Sequence, residues 1–135
     1  MIGADGYQHR YDIAPTSVET LTHQVASACA KIGEALVQTI GDLSTTVTKI
    51  GIGTGCACEI REYIRMGCDC FIVTDDGTWF WRDLQMAADL GYPAIRVHHG
   101  TSEEPGLVTM SAYIREQFDF PVEHYPQQPI FALNS

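Results

Sequence analysis

No stretch of this 135-residue chain approaches the roughly 20 consecutive apolar residues that a membrane-spanning helix needs. Its first residues, Met1-Ile2-Gly3-Ala4-Asp5, lack the basic-then-apolar order of a signal peptide, so the expectation is a cytoplasmic protein that does not engage a membrane. Positive charge is scarce: eight Lys and Arg, scattered along the chain, stand against 17 Asp and Glu, for a formal charge of −9. Binding to a phosphate backbone displaces counterions with clustered Lys and Arg, so nucleic acid is excluded as a partner. The acidity suits a protein that attracts cations, but net charge chiefly reports solubility. Internal repeats and low-complexity runs are also absent.

Cysteine is present in odd number, five in all, with four arranged as Cys56-Ala57-Cys58 and Cys68-Asp69-Cys70. A doubled C-x-C raises the possibility of zinc. Residues 57–66 read as helix, however, and a rise of about 1.5 Å per residue puts the two pairs some 15 Å apart, at opposite ends of that element. Reduced, partly buried core thiols are the preferred reading over a metal or redox role. With 45% hydrophobic residues and 19% charged, residues 1–135 suffice for one domain with a real core and no covalent staples.

Along the chain, residues 1–14 are polar and glycine-containing and read as a lead-in segment or edge strand. Pro15-Thr16-Ser17-Val18-Glu19 opens a helix, with Thr16 or Ser17 as cap and Glu19 completing a capping box with Thr16. Val18, Leu21, Val25, Ala28 and Ile32 give that helix one apolar face up to Gly33. Strands are predicted at 35–40, 47–52, 70–74, 94–97 and 122–125, and further helices at 58–66, 79–90 and 107–118. Strands alternating with helices imply crossover connections. The expected fold class is therefore α/β: a three-layer α/β/α domain whose mainly parallel sheet carries helices on both faces. Residues 126–135 read as a C-terminal surface arm in which Ile130-Phe131-Ala132-Leu133 can dock on a neighbouring subunit.

Sites in such sheets form beyond the carboxyl ends of the strands. That rule selects residues 53–56, 75–78 and 98–103, which should open on one edge. The first, within Gly51-Ile52-Gly53-Thr54-Gly55-Cys56, is similar to a dinucleotide fingerprint, in which glycines let the backbone approach a pyrophosphate. Cys56 occupies the place of the third glycine, so a tight turn that lets helix and strand pack is the stronger alternative. In the second loop, Asp75 and Asp76 precede Gly77-Thr78-Trp79-Phe80; Asp76 or Thr78 suits a helix cap, and either carboxylate suits a partner that orients a metal-bound water or His. In the third, His99 and Glu103 stand four residues apart. If residues 100–103 make a helical turn, both side chains reach one ion. Two ligands do not hold a metal by themselves, so other donors must come from elsewhere.

From about Pro15 to Tyr125 the chain resembles the C-terminal half of the Nif-three-like family, also known as GTP cyclohydrolase type 2 homologues. The likeness rests on Pro15-Thr16-Ser17-Val18-Glu19-Thr20-Leu21, on the strand and turn from Val47 to Gly55, on Gly67-Cys68-Asp69-Cys70-Phe71-Ile72-Val73-Thr74-Asp75-Asp76, and on the stretch from Leu90 to Glu103. The last resembles the family's G-H-x-x-x-E motif, with His98 in place of the usual glycine. The resemblance implies His99 and Glu103 as metal ligands, with Glu103 able to bridge two ions. No further ligand transfers; His98, Asp75, Asp76, Gly53 and Gly55, from the loops themselves, are candidates for groups that surround the ligands or hold a cofactor. The family's other ligands lie in an N-terminal half that this sequence does not contain, and Trp79-Phe80-Trp81-Arg82 stands where many members carry a histidine.

A complete site of this kind implies metal-dependent hydrolysis with zinc, manganese or iron. Three expectations follow for this chain. It supplies part of a dinuclear metal site, with the missing ligands brought by a second copy in a homo-oligomer or by a separate partner chain; or it is a non-catalytic assembly or regulatory domain; or it binds a nucleotide through residues 51–56.

Overall fold

The computed structural model describes residues 1–34, 36–76 and 81–127. The elements are β1 (His9–Ser17), α1 (Val18–Ala30), β2 (Gln38–Ile40), β3 (Thr46–Ile52), a 3-10 turn (Gly55–Ala57), α2 (Ile60–Arg65), β4 (Cys70–Thr74), α3 (Trp81–Asp89), β5 (Ala94–Val97) and α4 (His99–Gln117). They build a five-stranded sheet in the order β1-β3-β4-β5-β2. The three central strands are parallel, as the βα alternation requires. Both edge strands are antiparallel, β1 against β3 and β2 against β5, because the chain runs from β1 at one edge through α1 to β2 at the other.

Alternation along the central strands divides the core into two layers. Phe71, Val73 and Ala94 face α2 and α3, packing with Ile60, Tyr63, Met66 and Ala87. Ile50, Cys70 and Ile95 face α1, packing with Val18, Leu21 and Val47. Helices thus cover both faces. Fully buried Phe71 lies between the rings of Tyr63 and Tyr92, with centroids 5.7 and 5.3 Å away. Tyr63 can lie flat against β3 only because Gly51 and Gly53 have no side chain: a Cβ would stand 2.6 Å from Tyr63 Cγ at Gly51 and 2.5 Å from the Tyr63 hydroxyl at Gly53.

Asp69 locks β3 to the start of β4. Its carboxylate accepts from the Thr48 amide at 2.9 Å, the Thr48 hydroxyl at 3.0 Å and the Lys49 amide at 2.8 Å. Four cysteines, Cys29, Cys58, Cys68 and Cys70, are buried and unbridged as expected; Cys56 is exposed. Burial pushes the Cys70 thiol up to about 12, which keeps it protonated and inert.

Several boundaries differ from the sequence reading. Of the two expected caps of α1, Ser17 is the one used, accepting from the Thr20 amide at 3.1 Å, so the helix starts at Val18. Thr16 instead pairs with Val47 in the sheet, so Glu19 is the second helical residue and completes no capping box. Of the two readings of residues 1–14, the edge strand holds: β1 begins at His9. Where one helix was expected over 58–66, a 3-10 turn precedes a shorter α2. Residues 122–125 form no strand; the segment after α4 is extended and tied down by Arg115 donating to the Val122 carbonyl at 2.9 Å. The largest difference is α4, expected from Leu107 but beginning eight residues earlier, at His99, and carrying Pro105 inside it. A proline read from sequence marks a break because it lacks an N–H, yet one missing bond is tolerated where the flanking turns are held by other contacts. Thr78, Trp79, Phe80 and the Ile130–Leu133 stretch lie outside the described residues.

Candidate metal centre

The carboxyl ends of β3, β4 and β5 point the same way, so the three loops singled out from sequence do meet. Their centre is the first turn of α4. His98 is its N-cap, and its backbone amide donates to the Glu34 carboxylate at 3.2 Å. The next amide, of His99, donates to Asp75 Oδ1 at 2.8 Å. These two carboxylates occupy free donors of the helix start, where the backbone dipole favours negative charge.

One helical turn brings His99 and Glu103 together, with Nε2 of the ring 3.3 Å from Glu103 Oε1. The opposite ring nitrogen, Nδ1, lies 2.6 Å from Asp76 Oδ2. A carboxylate on Nδ1 fixes the ring's orientation and leaves Nε2 pointing at Glu103. The same contact favours the protonated ring: the hydrogen bond to Asp76 is the main cause raising the His99 pKa above its usual value, opposed by partial burial and reinforced by the charges of Asp76, Glu103 and Asp75.

Gly55 forms the floor beneath this pair. Its φ is +53°, and a Cβ there would stand 2.5 Å from Glu103 Oε1 and 2.9 Å from His99 Nε2. The turn is bolted on both sides. The Gly55 amide donates to Ser102 Oγ at 3.1 Å, Ser102 Oγ donates to the His99 carbonyl at 2.6 Å, and buried Thr74 donates to the Gly55 carbonyl at 2.6 Å. The glycines of the fingerprint-like stretch are thereby accounted for without a pyrophosphate: Gly51 and Gly53 make room for Tyr63, and Gly55 for His99 and Glu103.

Of the residues singled out from sequence, His99, Glu103, Asp75, Asp76 and Gly55 assemble here. Gly53 serves the core instead. His98 turns away from the pair, its ring 4.0 Å from Asp75 Oδ2 and 3.3 Å from the Gln127 side-chain nitrogen. Among the described residues, no three or more His, Cys, Asp or Glu side chains are disposed to enclose an ion. Sequence reasoning missed Ser102 and Thr74, which carry no spacing signature, though Thr74 sits at a strand's carboxyl end. It also missed buried Glu104, whose Oε1 lies 3.1 Å from His124 Nε2 and whose Oε2 accepts from the Gln127 amide at 3.4 Å.

No curated protein matches the chain. Three solved structures share its fold. Protein ybgI, of unknown function, has a TM-score of 0.74 at 18% identity over 94% of this chain and 51% of its own. Staphylococcus aureus hypothetical protein SA1388 has a TM-score of 0.63 at 17% identity over 83% of this chain and 32% of its own. A Bacillus cereus protein related to NIF3 has a TM-score of 0.63 at 13% identity over 83% of this chain and 30% of its own. The chain thus spans about a third to a half of the length of these neighbours. The family description Duf34/NIF3 (NGG1p interacting factor 3) matches residues 6–129, nearly all of the sequence, and the chain therefore belongs to the Duf34/NIF3 family.

Proposed function

We propose that this chain supplies part of a dinuclear metal site of a metal-dependent hydrolase, with His99 and Glu103 as its ligands. The observation that carries the reading is the 3.3 Å gap between His99 Nε2 and Glu103 Oε1, with Asp76 bound to the far side of the ring. Two donors at about 2.0–2.2 Å from one tetrahedral ion lie about 3.4 Å apart, so the pair fits an ion without rearrangement. The space over Gly55, which a Cβ would fill, supports the same reading.

Bound zinc, manganese or iron would supply Lewis acidity to the reaction. Asp76 orients the imidazole and stabilises its orientation against rotation. Asp75, through the His99 amide, keeps the helix start in place. Thr74 and Ser102 hold the Gly55 turn against both ligands. The remaining donors come from outside these residues, from a second copy in a homo-oligomer or from a chain carrying the other half.

Elemental analysis of the purified protein, alone and mixed with a chain bearing the other half, tests the reading. Stoichiometric zinc, manganese or iron, lost in His99→Ala, is the expected result. Metal content indifferent to that substitution would end it.

A second reading, a non-catalytic assembly domain, is favoured by the far half of α4. There Leu107, Val108, Met110 and Tyr113 are exposed, as are Phe118 and Phe120 beyond it. Deleting residues 126–135 should then break an oligomer on a sizing column, and an unchanged elution volume would remove the arm from consideration.

A further inference from the structure

A cavity of about 210 Å³ opens beside the candidate metal pair, lined by Glu34, Leu36, Gln38, Asp75, Arg96, Val97 and His98. It shares Asp75 with the site already described, since that carboxylate accepts from the His99 amide.

Five of the six arginines are engaged. Arg10 pairs with Asp12, Arg61 and Arg82 with Asp83, Arg65 with Glu62, and Arg115 donates to the Val122 carbonyl. Arg96, at the carboxyl end of β5 beside Gln38 of β2, is partly buried in the cavity wall, and among the described residues its side chain makes no hydrogen bond or ion pair. In a chain with 17 acidic residues and eight basic ones, a guanidinium in a cavity wall with no protein acceptor among the described residues is left open to an anionic ligand. The two carboxylates that line the same cavity are engaged elsewhere: Glu34 accepts from the His98 amide and Asp75 from the His99 amide. Five donors in a planar fork suit a carboxylate or phosphate group, which can accept two parallel bonds.

From this the geometry points to an oxyanion subsite: Arg96 receives a carboxylate or phosphate group of a small molecule whose reacting end lies toward His99 and Glu103. The inference rests on the metal-site reading for the reacting end, but the anion pocket itself does not. A substrate class follows, small acids or phosphate esters, in a protein whose overall charge would otherwise repel them.

Calorimetric titration of the full chain, as purified and metal-loaded, with inorganic phosphate and separately with malonate decides the matter and distinguishes the two anion chemistries. Saturable binding of one of them is expected, weakened at least tenfold in Arg96→Gln and less in Arg96→Lys, which keeps the charge but loses the fork. Thermal melts of both variants confirm that they remain folded. In His99→Ala, anion binding should persist even where metal is lost, so failure of the metal reading would leave the subsite standing. Binding unchanged in both Arg96 variants, binding lost in His99→Ala but kept in Arg96→Gln, or no binding of either anion to the wild type would each overturn the proposal.

Discussion

Gly55 lies directly under Glu103: a side chain on this glycine would come within 2.5 Å of the Glu103 carboxylate. The glycine-rich turn after β3 and the first turn of α4, nearly fifty residues apart in sequence, are therefore shaped to each other. Because the atoms that a Cβ would strike are the free ends of Glu103 and His99, not backbone, a larger residue should push these two side chains apart before it unfolds the domain.

Substituting Gly55→Ala tests this. If the proposed site holds metal, metal content should be lost or sharply reduced, while stability falls only by the cost of a left-handed conformation at a non-glycine residue, about 1–2 kcal/mol. Elemental analysis alongside a thermal melt separates the two effects. Full metal content in the variant would show that Gly55 does not shape the site.

Protonation of His99 provides a second check. Its pKa is raised, chiefly by the hydrogen bond to Asp76. In metal-free protein that contact contributes stability fully present below the ordinary imidazole value of about 6.5 and lost as pH climbs through the raised one. Metal binding needs the neutral ring and so should strengthen over the same rise in pH. An NMR titration of the His99 ring should give a midpoint above that of a free imidazole, moving down in Asp76→Asn; a midpoint unaffected by this substitution would mean the contact is absent in solution.

Asp69 should matter to the fold alone. Replacing it by Ala strips acceptors from the Thr48 and Lys49 amides and from the Thr48 hydroxyl. A lower urea midpoint, corresponding to a loss of about 1–3 kcal/mol, is expected. The His99–Glu103 pair should keep whatever metal it holds.

The packing of Tyr63 on β3 predicts a cost for Gly51→Ala, since the new methyl would stand 2.6 Å from the buried ring. Overpacking of this kind costs about 1–3 kcal/mol. Combined with Tyr63→Leu, the loss should be smaller than the sum of the two single losses, because both variants act on one contact. Strict additivity in denaturant unfolding would show that the ring can move aside freely.

Periodicity recovered the central strands well: 70–74 and 94–97 match β4 and β5, and 47–52 lies within β3. Most positions of these runs are buried, Lys49 and Arg96 being among the exceptions, so apolar, β-branched residues mark them clearly. The edges were harder. Strand β1 is polar and half exposed, so its sequence left a lead-in segment and an edge strand both open, and residues 122–125 have strand composition but form no strand. Helix α4 was misplaced because Gly100, Pro105 and Gly106 all argue locally against helix, while contacts of its first turn with Asp75, Glu34 and Gly55, and of Glu104 with His124 and Gln127, hold it there.

From the order of its residues alone, this protein was committed to alternating strands and helices, to a parallel central sheet and to a His and a Glu four positions apart at a strand's carboxyl end. Those are local or periodic properties, written within a few residues of one another. Only the folded chain decided that Asp76 orients the His99 ring, that Gly55 makes the space beneath it, that Gly51 and Gly53 serve Tyr63, and that Arg96 faces a cavity without a partner. Each of these joins segments twenty or more residues apart or, for the glycines, depends on what packs against a missing side chain. Such relations are set by the register of neighbouring strands and by the crossovers between them, which no spacing along the chain records.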